Sequence, residues 1–132
     1  MIGSDILIKF HHIGIATENI ESTIKYLKEI MSIKNISEKV YDRNQDANLC
    51  ILTLEDGTKL ELVSGKIVEK IVKKRQFLYH ICYETENITK EIEKIKKLGG
   101  FVISEPKEAI LFNNKKVAFL MTDIGLMELV EK

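Results

Sequence analysis

The alternation of apolar and polar positions predicts one series of strands and helices in the first half of the chain. Residues 6–16 are rich in β-branched side chains and alternate in polarity, as a half-buried strand does. Asn19 is a good N-cap for a helix that ends near Met31, because four apolar residues recur at helical spacing. These residues are Ile20, Ile24, Leu27 and Met31. Strands are then predicted at 33–41, 48–54 and 58–63. The first half therefore has the order βαβββ.

The second half repeats this order after a connecting helix at about 66–76. A strand at 77–85 precedes a helix that Asn87 caps and that ends before the Gly99-Gly100 pair. The apolar stripe of this helix consists of Ile88, Ile92, Ile95 and Leu98. A strand at 101–104 is followed by a loop through Pro106. The last two strands are predicted at 116–121 and 126–130.

Two short stretches of sequence occur twice, which indicates a duplication. The stretch HHIGIATENI, which contains His12, returns as YHICYETENI, so that His12 corresponds to His80 at an offset of 68 residues. The stretch LELV, which contains Glu61, returns as MELV, so that Glu61 corresponds to Glu128. Each half therefore has one histidine near its start and one glutamate near its end. A repeated pair of this kind is typical of a metal site built on a pseudo-two-fold axis.

The duplication predicts an α+β fold of two pseudo-symmetric βαβββ modules, which form a cupped, mixed β-sheet with the helices outside. Eight strands are expected, most of them antiparallel. Module one spans about 6–64, the connecting helix about 66–76 and module two about 77–131. All three lie in a single domain of residues 1–132. The modules can close on each other within one chain or across a dimer.

The overall composition excludes several classes of partner. The chain has 20 basic and 20 acidic side chains and a formal charge of zero. Neither nucleic acid nor an anionic membrane surface is therefore an expected partner. The segment Met1–Lys9 is too short and too polar for a signal peptide, and no apolar run approaches a membrane span. Cys50 and Cys82 lack CxxC spacing and are expected to be free, buried thiols, which suits a cytoplasmic protein.

The repeated histidines and glutamates are the candidate metal ligands. Strand alternation places each glutamate among apolar neighbours, where a lone charge would be costly. Two imidazoles and two carboxylates suit a divalent transition metal, and leave one or two positions for water or substrate. Singly, each residue would more often be an ordinary core or surface group, but the recurrence of all four favours a metal. The predicted ligands are His12, Glu61, His80 and Glu128, and the metal is Ni, Co, Zn or Mn.

Three other residues near these positions are assigned smaller roles. His11 has Tyr79 as its counterpart in the repeat and points to the opposite face of its strand, so it is expected to be structural. Cys82 is expected to form a small apolar wall of the site, and Glu84 is expected at its rim. None of the three is counted among the ligands.

The segments around the four ligands resemble the vicinal oxygen chelate superfamily. They are His12-Ile-Gly-Ile-Ala, Thr-Lys-Leu-Glu61-Leu, Tyr-His80-Ile-Cys, Lys-Lys-Val-Ala-Phe-Leu and Met-Glu128-Leu-Val. The superfamily includes glyoxalase I, methylmalonyl-CoA epimerase, extradiol dioxygenases and bleomycin-resistance proteins. The resemblance covers almost the whole chain and is greatest to the methylmalonyl-CoA epimerase-like, short glyoxalase branch.

This resemblance implies a glyoxalase-like fold and a metal-dependent isomerase, epimerase or lyase. Such an enzyme would act on a small carbonyl or thioester substrate through a metal-bound enolate or enediolate. In glyoxalase- and epimerase-type members a glutamate at or beside the metal moves the proton. Glu128 is the first candidate for this base and Glu61 the second. The resemblance also implies a homodimer.

Several alternatives remain open at the level of the sequence. Oxygen activation generally uses two histidines and one carboxylate, so a set of four ligands argues against a dioxygenase. Glyoxalase I proteins commonly have an arginine four residues after the first histidine, where this chain has Ala16. Epimerases commonly have a Gly-rich loop and a His-Pro-Lys turn, which this chain replaces at 109–114 and 121–123. A lactoylglutathione lyase and a non-catalytic binding protein of the same fold are the two alternatives to an epimerase.

Overall fold

The computed structural model describes residues 8–132, which form two compact units. The first unit consists of residues 12–79, and the second of residues 80–132 together with the described residues before His12. The predicted start of the first strand at Ile6 and Leu7 lies outside the described residues. No helix within residues 8–132 is both long enough and apolar enough to cross a lipid bilayer.

The first unit is a mixed sheet with one main helix. Its elements are β1 (Lys9–Ala16, which belongs to this unit from His12 onward), α1 (Ile20–Ile30), β2 (Ile33–Ile36), β3 (Val40–Asp42), β4 (Ala47–Leu54), β5 (Lys59–Ser64), a 3-10 turn (Lys66–Val68) and α2 (Glu69–Lys73). The strand order is β2-β4-β5-β1, and β3 also pairs with β4. β1 runs parallel to β5, whereas the pairs made by β4 are antiparallel. The connecting helix is thus shorter than predicted.

The second unit repeats this topology. Its elements are β6 (Leu78–Thr85), α3 (Ile88–Lys97), β7 (Phe101–Ala109), a 3-10 turn (Ile110–Phe112), β8 (Lys115–Thr122) and β9 (Gly125–Glu131). The strand order is β6-β9-β8-β7, in which β6 and β9 are parallel and the other pairs antiparallel. The predicted α+β class and the predicted repeat of strand order are confirmed.

One helix covers one sheet face in each unit. In the first unit the buried cluster consists of Ile20, Leu27, Cys50, Leu52, Leu60 and Leu62. In the second unit it consists of Ile88, Ile92, Ala118, Leu120, Met127 and Leu129. Ile13 and Ile15 pack against the first cluster, as their alternation predicts. The intervening residues of β1, His12, Gly14 and Ala16, therefore lie on the opposite face of the strand and are buried there.

The repeated Thr-Glu-Asn-Ile sequence forms the N-terminal cap of each main helix. The side chain of Asn19 accepts a hydrogen bond from the Ser22 amide at 2.8 Å, and that of Asn87 accepts one from the Lys90 amide at 3.0 Å. Each cap thereby satisfies an amide that has no partner within the helix. Both predicted N-caps are confirmed, and they fix the point at which the chain leaves the first strand of each unit.

The prediction of one strand at 33–41 is wrong, because the chain forms two strands there. Ile36 pairs with Leu52 and Val40 pairs with Leu49, so one extra residue lies between the two strands. The Ser37 hydroxyl accepts a hydrogen bond from the Ile51 amide at 2.8 Å, which replaces a backbone bond of the ladder. The described residues therefore contain nine strands instead of the eight predicted.

The prediction of a loop through Pro106 is also wrong. β7 continues from Phe101 to Ala109, with register shifts between Val102 and Ser104 and between Ser104 and Lys107. β7 is the last strand in the order of its unit. Proline has no amide hydrogen to donate, and in an edge strand this need not leave a carbonyl of a neighbouring strand without a donor. A proline at an irregular point of an edge strand is compatible with strand structure, so this residue alone did not mark a loop.

We expect the substitutions Asn19→Ala and Asn87→Ala each to lower the free energy of unfolding by about 1 kcal/mol, because each removes a side-chain cap. Urea denaturation followed by circular dichroism measures the change. Asn19→Ser and Asn87→Ser retain a capping oxygen and serve as matched controls. Equal losses for alanine and serine would contradict the role of the side-chain oxygen.

Candidate functional site

A buried histidine–glutamate pair lies on the first unit's sheet. His12 is on β1 and Glu61 on β5, and the register of these parallel strands places Gly14 beside Glu61. The His12 Nε2 atom is 3.2 Å from the Glu61 Oε1 atom. The exposed fractions of the two residues are 0% and 1%. The pair is thus removed from solvent although both side chains are polar.

The second unit contains the corresponding pair in the corresponding place. His80 is on β6 and Glu128 on β9, and the register places Cys82 beside Glu128. The His80 Nε2 atom is 3.0 Å from the Glu128 Oε1 atom, and the side chains of both residues are fully buried. The sequence repeat is therefore also a repeat of geometry, since each pair joins a first and a last strand of its unit.

Strand alternation explains why both glutamates lie on this face. Leu60 and Leu62 belong to the core under α1, so Glu61 between them faces away from the helix. Met127 and Leu129 belong to the core under α3, which places Glu128 in the same way. A buried carboxylate is unfavourable without charged or hydrogen-bonding partners, and the adjacent imidazole supplies one in each pair.

The antiparallel neighbours of the two glutamates differ. Ile51 on β4 is in register with Glu61, and Phe119 on β8 is in register with Glu128. The Phe119 ring also contacts the His80 ring edge to face, with centroids 5.3 Å apart and an interplanar angle of 80°. Sequence reasoning assigned no role to Phe119. The available clue was its position eight residues before Met127, the start of the repeated Met-Glu-Leu-Val, because an antiparallel pairing of β8 with β9 brings it opposite Glu128.

Each pair has donor atoms that fit a divalent metal ion. Imidazole nitrogen and carboxylate oxygen are ligands that Zn, Co, Ni and Mn accept. Two such atoms, each about 2.1 Å from one ion and adjacent in its coordination shell, are separated by roughly 3.0–3.4 Å. The Nε2–Oε1 distances of 3.2 Å and 3.0 Å match this separation. The two side chains of each pair could therefore contact one ion.

The residues given smaller roles occupy distinct positions. The His11 ring contacts the Phe112 ring edge to face at a centroid distance of 5.4 Å. Cys82 is fully buried two residues after His80, and Glu84 is half-buried two residues further along β6. The other cysteine, Cys50, belongs to the core under α1, where burial raises the pKa of its thiol. Both cysteines are free thiols, as predicted.

Comparison with known proteins identifies similar sequences and folds. The model of the glyoxalase/bleomycin resistance protein/dioxygenase superfamily matches residues 11–119. No curated protein matches the chain. The structure is similar to methylmalonyl-CoA epimerase from Mycobacterium tuberculosis, with a TM-score of 0.82 and 15% identity over 99% of this chain and 92% of that one. A hypothetical protein from Bacillus halodurans has a TM-score of 0.74 and 24% identity over 95% and 94% of the two chains.

A third similar structure contains a ligand. It is methylmalonyl-CoA epimerase from Streptomyces coelicolor in complex with 2-nitronate-propionyl-CoA, with a TM-score of 0.69 and 20% identity over 96% of this chain and 98% of that one. At identities between 15% and 24% these similarities concern the fold. They confirm the glyoxalase-like fold that the sequence predicts.

Because the His80–Glu128 pair is fully buried, we expect His80→Ala to lower the free energy of unfolding by about 3–5 kcal/mol in protein treated with a chelator. The substitution removes the imidazole beside a buried carboxylate. Adding Glu128→Leu to this variant is expected to restore part of the loss, since the buried charge is then absent. Urea denaturation of the two single variants and the double variant gives the coupling between the residues. Strictly additive losses would show that the pair is not a unit.

Proposed function

The chain belongs to the glyoxalase/bleomycin resistance protein/dioxygenase superfamily, and on that premise we propose that it is a metal-dependent isomerase or epimerase. The proposed substrate is a small carbonyl or thioester compound that loses a proton next to its carbonyl group. The single observation that carries the proposal is the repeated buried pair, in which an imidazole nitrogen lies 3.0–3.2 Å from a carboxylate oxygen. Packing alone does not explain a duplicated pair of metal-ligand side chains. Two apolar residues would fill the same space without the free-energy cost of burying polar groups.

We propose that the two pairs together bind one divalent ion through His12, Glu61, His80 and Glu128. The donor set of two nitrogens and two oxygens supports Ni, Co, Zn or Mn. The bound ion would supply positive charge where negative charge develops on the substrate oxygen. A four-residue set also supports proton-transfer chemistry more than oxygen activation, which generally uses two histidines and one carboxylate.

The proposed base is Glu128, with Glu61 as the second candidate. A base must come within hydrogen-bond reach of the proton that it removes, and a carboxylate next to the reacting carbon can do this. The burial of Glu128 supports this role. Hydration stabilises a carboxylate and makes it a weaker base, so a carboxylate shielded from water accepts a proton more readily. His80 at 3.0 Å holds the carboxylate in one orientation. A reaction that changes the configuration of a carbon favours a base on each side of it, and the strand at 48–54 offers no acid, which weighs against an epimerase.

The leading proposed substrate is a methylmalonyl-CoA-like acyl thioester, and a glutathione hemithioacetal is the alternative. Support for the thioester comes from the fold shared with methylmalonyl-CoA epimerases, one of which is in complex with a CoA thioester analogue. The alternative is weakened because Ala16, a buried small residue, stands where glyoxalase I proteins commonly have an arginine. Gly14 and Ala16 give the His12 face of β1 small side chains, which would leave room for a substrate beside the proposed site.

We also propose a homodimer that acts in the cytoplasm on a small molecule. A non-catalytic binding protein of the same fold is the remaining alternative. The ligand-type residues support an enzyme over this alternative, because bleomycin-resistance proteins generally lack the set. Metal content and proton exchange are measured separately, so that a bound metal without proton exchange on any carbonyl substrate would favour the binding protein.

Protein purified without a chelator or a polyhistidine tag is expected to contain about one divalent ion per chain. The double variant His12→Ala/His80→Ala is expected to contain almost none, because it lacks both nitrogen ligands. Elemental analysis by mass spectrometry measures the content. Glu93→Gln, on the exposed face of α3, is the control. Unchanged metal in the double variant would remove the proposed site.

Metal-loaded protein in D₂O is expected to introduce deuterium at the α carbon of methylmalonyl-CoA. Glu128→Gln is expected to slow this exchange by roughly 10²–10⁴-fold, because the amide cannot accept the proton. Nuclear magnetic resonance of the substrate measures the exchange. Glu93→Gln, on the exposed face of α3, is the control.

The same preparation is tested with the hemithioacetal of glutathione. Formation of a hydroxyacyl thioester, without exchange on methylmalonyl-CoA, would identify the lyase in place of the epimerase. Absence of both reactions in protein that contains metal would exclude both proposed substrates.

A further inference from the structure

We infer that Phe119 is a positioning residue that fixes the His80 imidazole for metal binding. The inference rests on the proposed metal site and concerns a residue that does not itself supply a ligand. It follows from two contacts within the second unit. Phe119 is the register partner of Glu128 across β8 and β9, and its ring meets the His80 ring edge to face.

The geometry of the three residues restricts the rotation of the imidazole. The ring centroids of Phe119 and His80 are 5.3 Å apart at an interplanar angle of 80°, which is the preferred arrangement of two aromatic rings. On its other side the His80 Nε2 atom is 3.0 Å from the Glu128 Oε1 atom. Phe119 is only 7% exposed, so the ring has little room to leave this contact. One aromatic residue thus touches one proposed ligand and pairs with the other.

The corresponding position in the first unit has a different side chain. Ile51 is in register with Glu61 as Phe119 is with Glu128. An aliphatic side chain cannot provide an edge-to-face ring contact. The two histidine–glutamate pairs therefore have the same ligand atoms, but the residue in register with the glutamate differs. This difference suggests a direct test, in which Phe119→Ile gives the second pair the neighbour that the first pair has.

The expected effect is on metal retention. Loss of a hydrogen bond that orients a metal ligand commonly lowers metal affinity by roughly 10–100-fold. An aromatic contact is weaker than such a hydrogen bond. We therefore expect Phe119→Ile to release the metal roughly 3–10-fold faster than the unaltered protein. Phe119→Tyr keeps the ring and is expected to release it within about twofold of the unaltered rate.

The experiment uses the full chain loaded with Co²⁺, whose visible absorption reports the geometry of its ligands. Excess chelator is added and the loss of absorption gives the release rate. The melting temperature of each variant is measured with and without Co²⁺, because a metal that binds the folded state raises it. Phe101→Leu is the matched control, since Phe101 is an exposed phenylalanine of the same unit. Phe119→Leu replaces Phe119→Ile if the latter does not fold.

If Phe119 positions His80, Phe119→Ile shortens cobalt retention, alters the absorption spectrum and reduces the rise in melting temperature with Co²⁺. Phe101→Leu is expected to change none of these three quantities. A fall in melting temperature that is equal with and without Co²⁺, with an unchanged release rate, would show a packing role only and overturn the inference. If the unaltered protein binds no Co²⁺, the proposed metal site fails and this inference with it. If the unaltered protein binds Co²⁺ and Phe119→Ile retains it equally well, only the inference about Phe119 fails.

Discussion

A carboxylate buried beside an imidazole is the interaction on which the architecture of each unit depends. Burial of an ionised group is unfavourable by several kcal/mol unless partners compensate for the lost water. The Glu61 and Glu128 side chains are both buried at a distance of 3.0–3.2 Å from a histidine nitrogen. The core under the helix of each unit lies on the reverse side of the same strands and holds them in place. In each unit the histidine–glutamate pair and the apolar core thus lie on opposite faces of the same strands.

Parallel pairing is the feature that brings the two members of each pair together. His12 and Glu61 are 49 residues apart in the chain, and His80 and Glu128 are 48 apart. Parallel neighbours cannot be joined by a hairpin, so the helix and the intervening strands must fit between them. The first strand of each unit therefore lies beside the last, β1 beside β5 and β6 beside β9. A histidine near the start and a glutamate near the end of the repeat become neighbours through this topology.

The sequence allowed prediction of those features that short-range rules govern. The Asn19 and Asn87 caps and the strand alternation around His12 follow from local spacing, and the structure confirms them. The helix stripes are confirmed except at Leu98, which lies beyond the end of α3 and is 78% exposed. The break at Ser37 was not predictable, because it depends on a side-chain hydrogen bond to Ile51 on a distant strand. The continuation of β7 through Pro106 likewise depends on the position of that strand at an edge, which only the topology reveals. The contact between Phe119 and His80 depends on strand register, which the resemblance of segments did not supply.

The differences between the two halves are as informative as their likeness. The ligand-type atoms and their separations repeat, whereas the residues in register with the glutamates do not, since Gly14 corresponds to Cys82 and Ile51 to Phe119. A metal ion imposes similar demands on each half, because its ligands must have similar chemistry and distances. A substrate imposes no such symmetry, because a carbonyl compound has two unlike ends. In the proposed site the metal would keep the four ligand-type residues alike, whereas the unlike ends of the proposed substrate would favour different neighbours, such as Gly14 and Cys82, in the two halves.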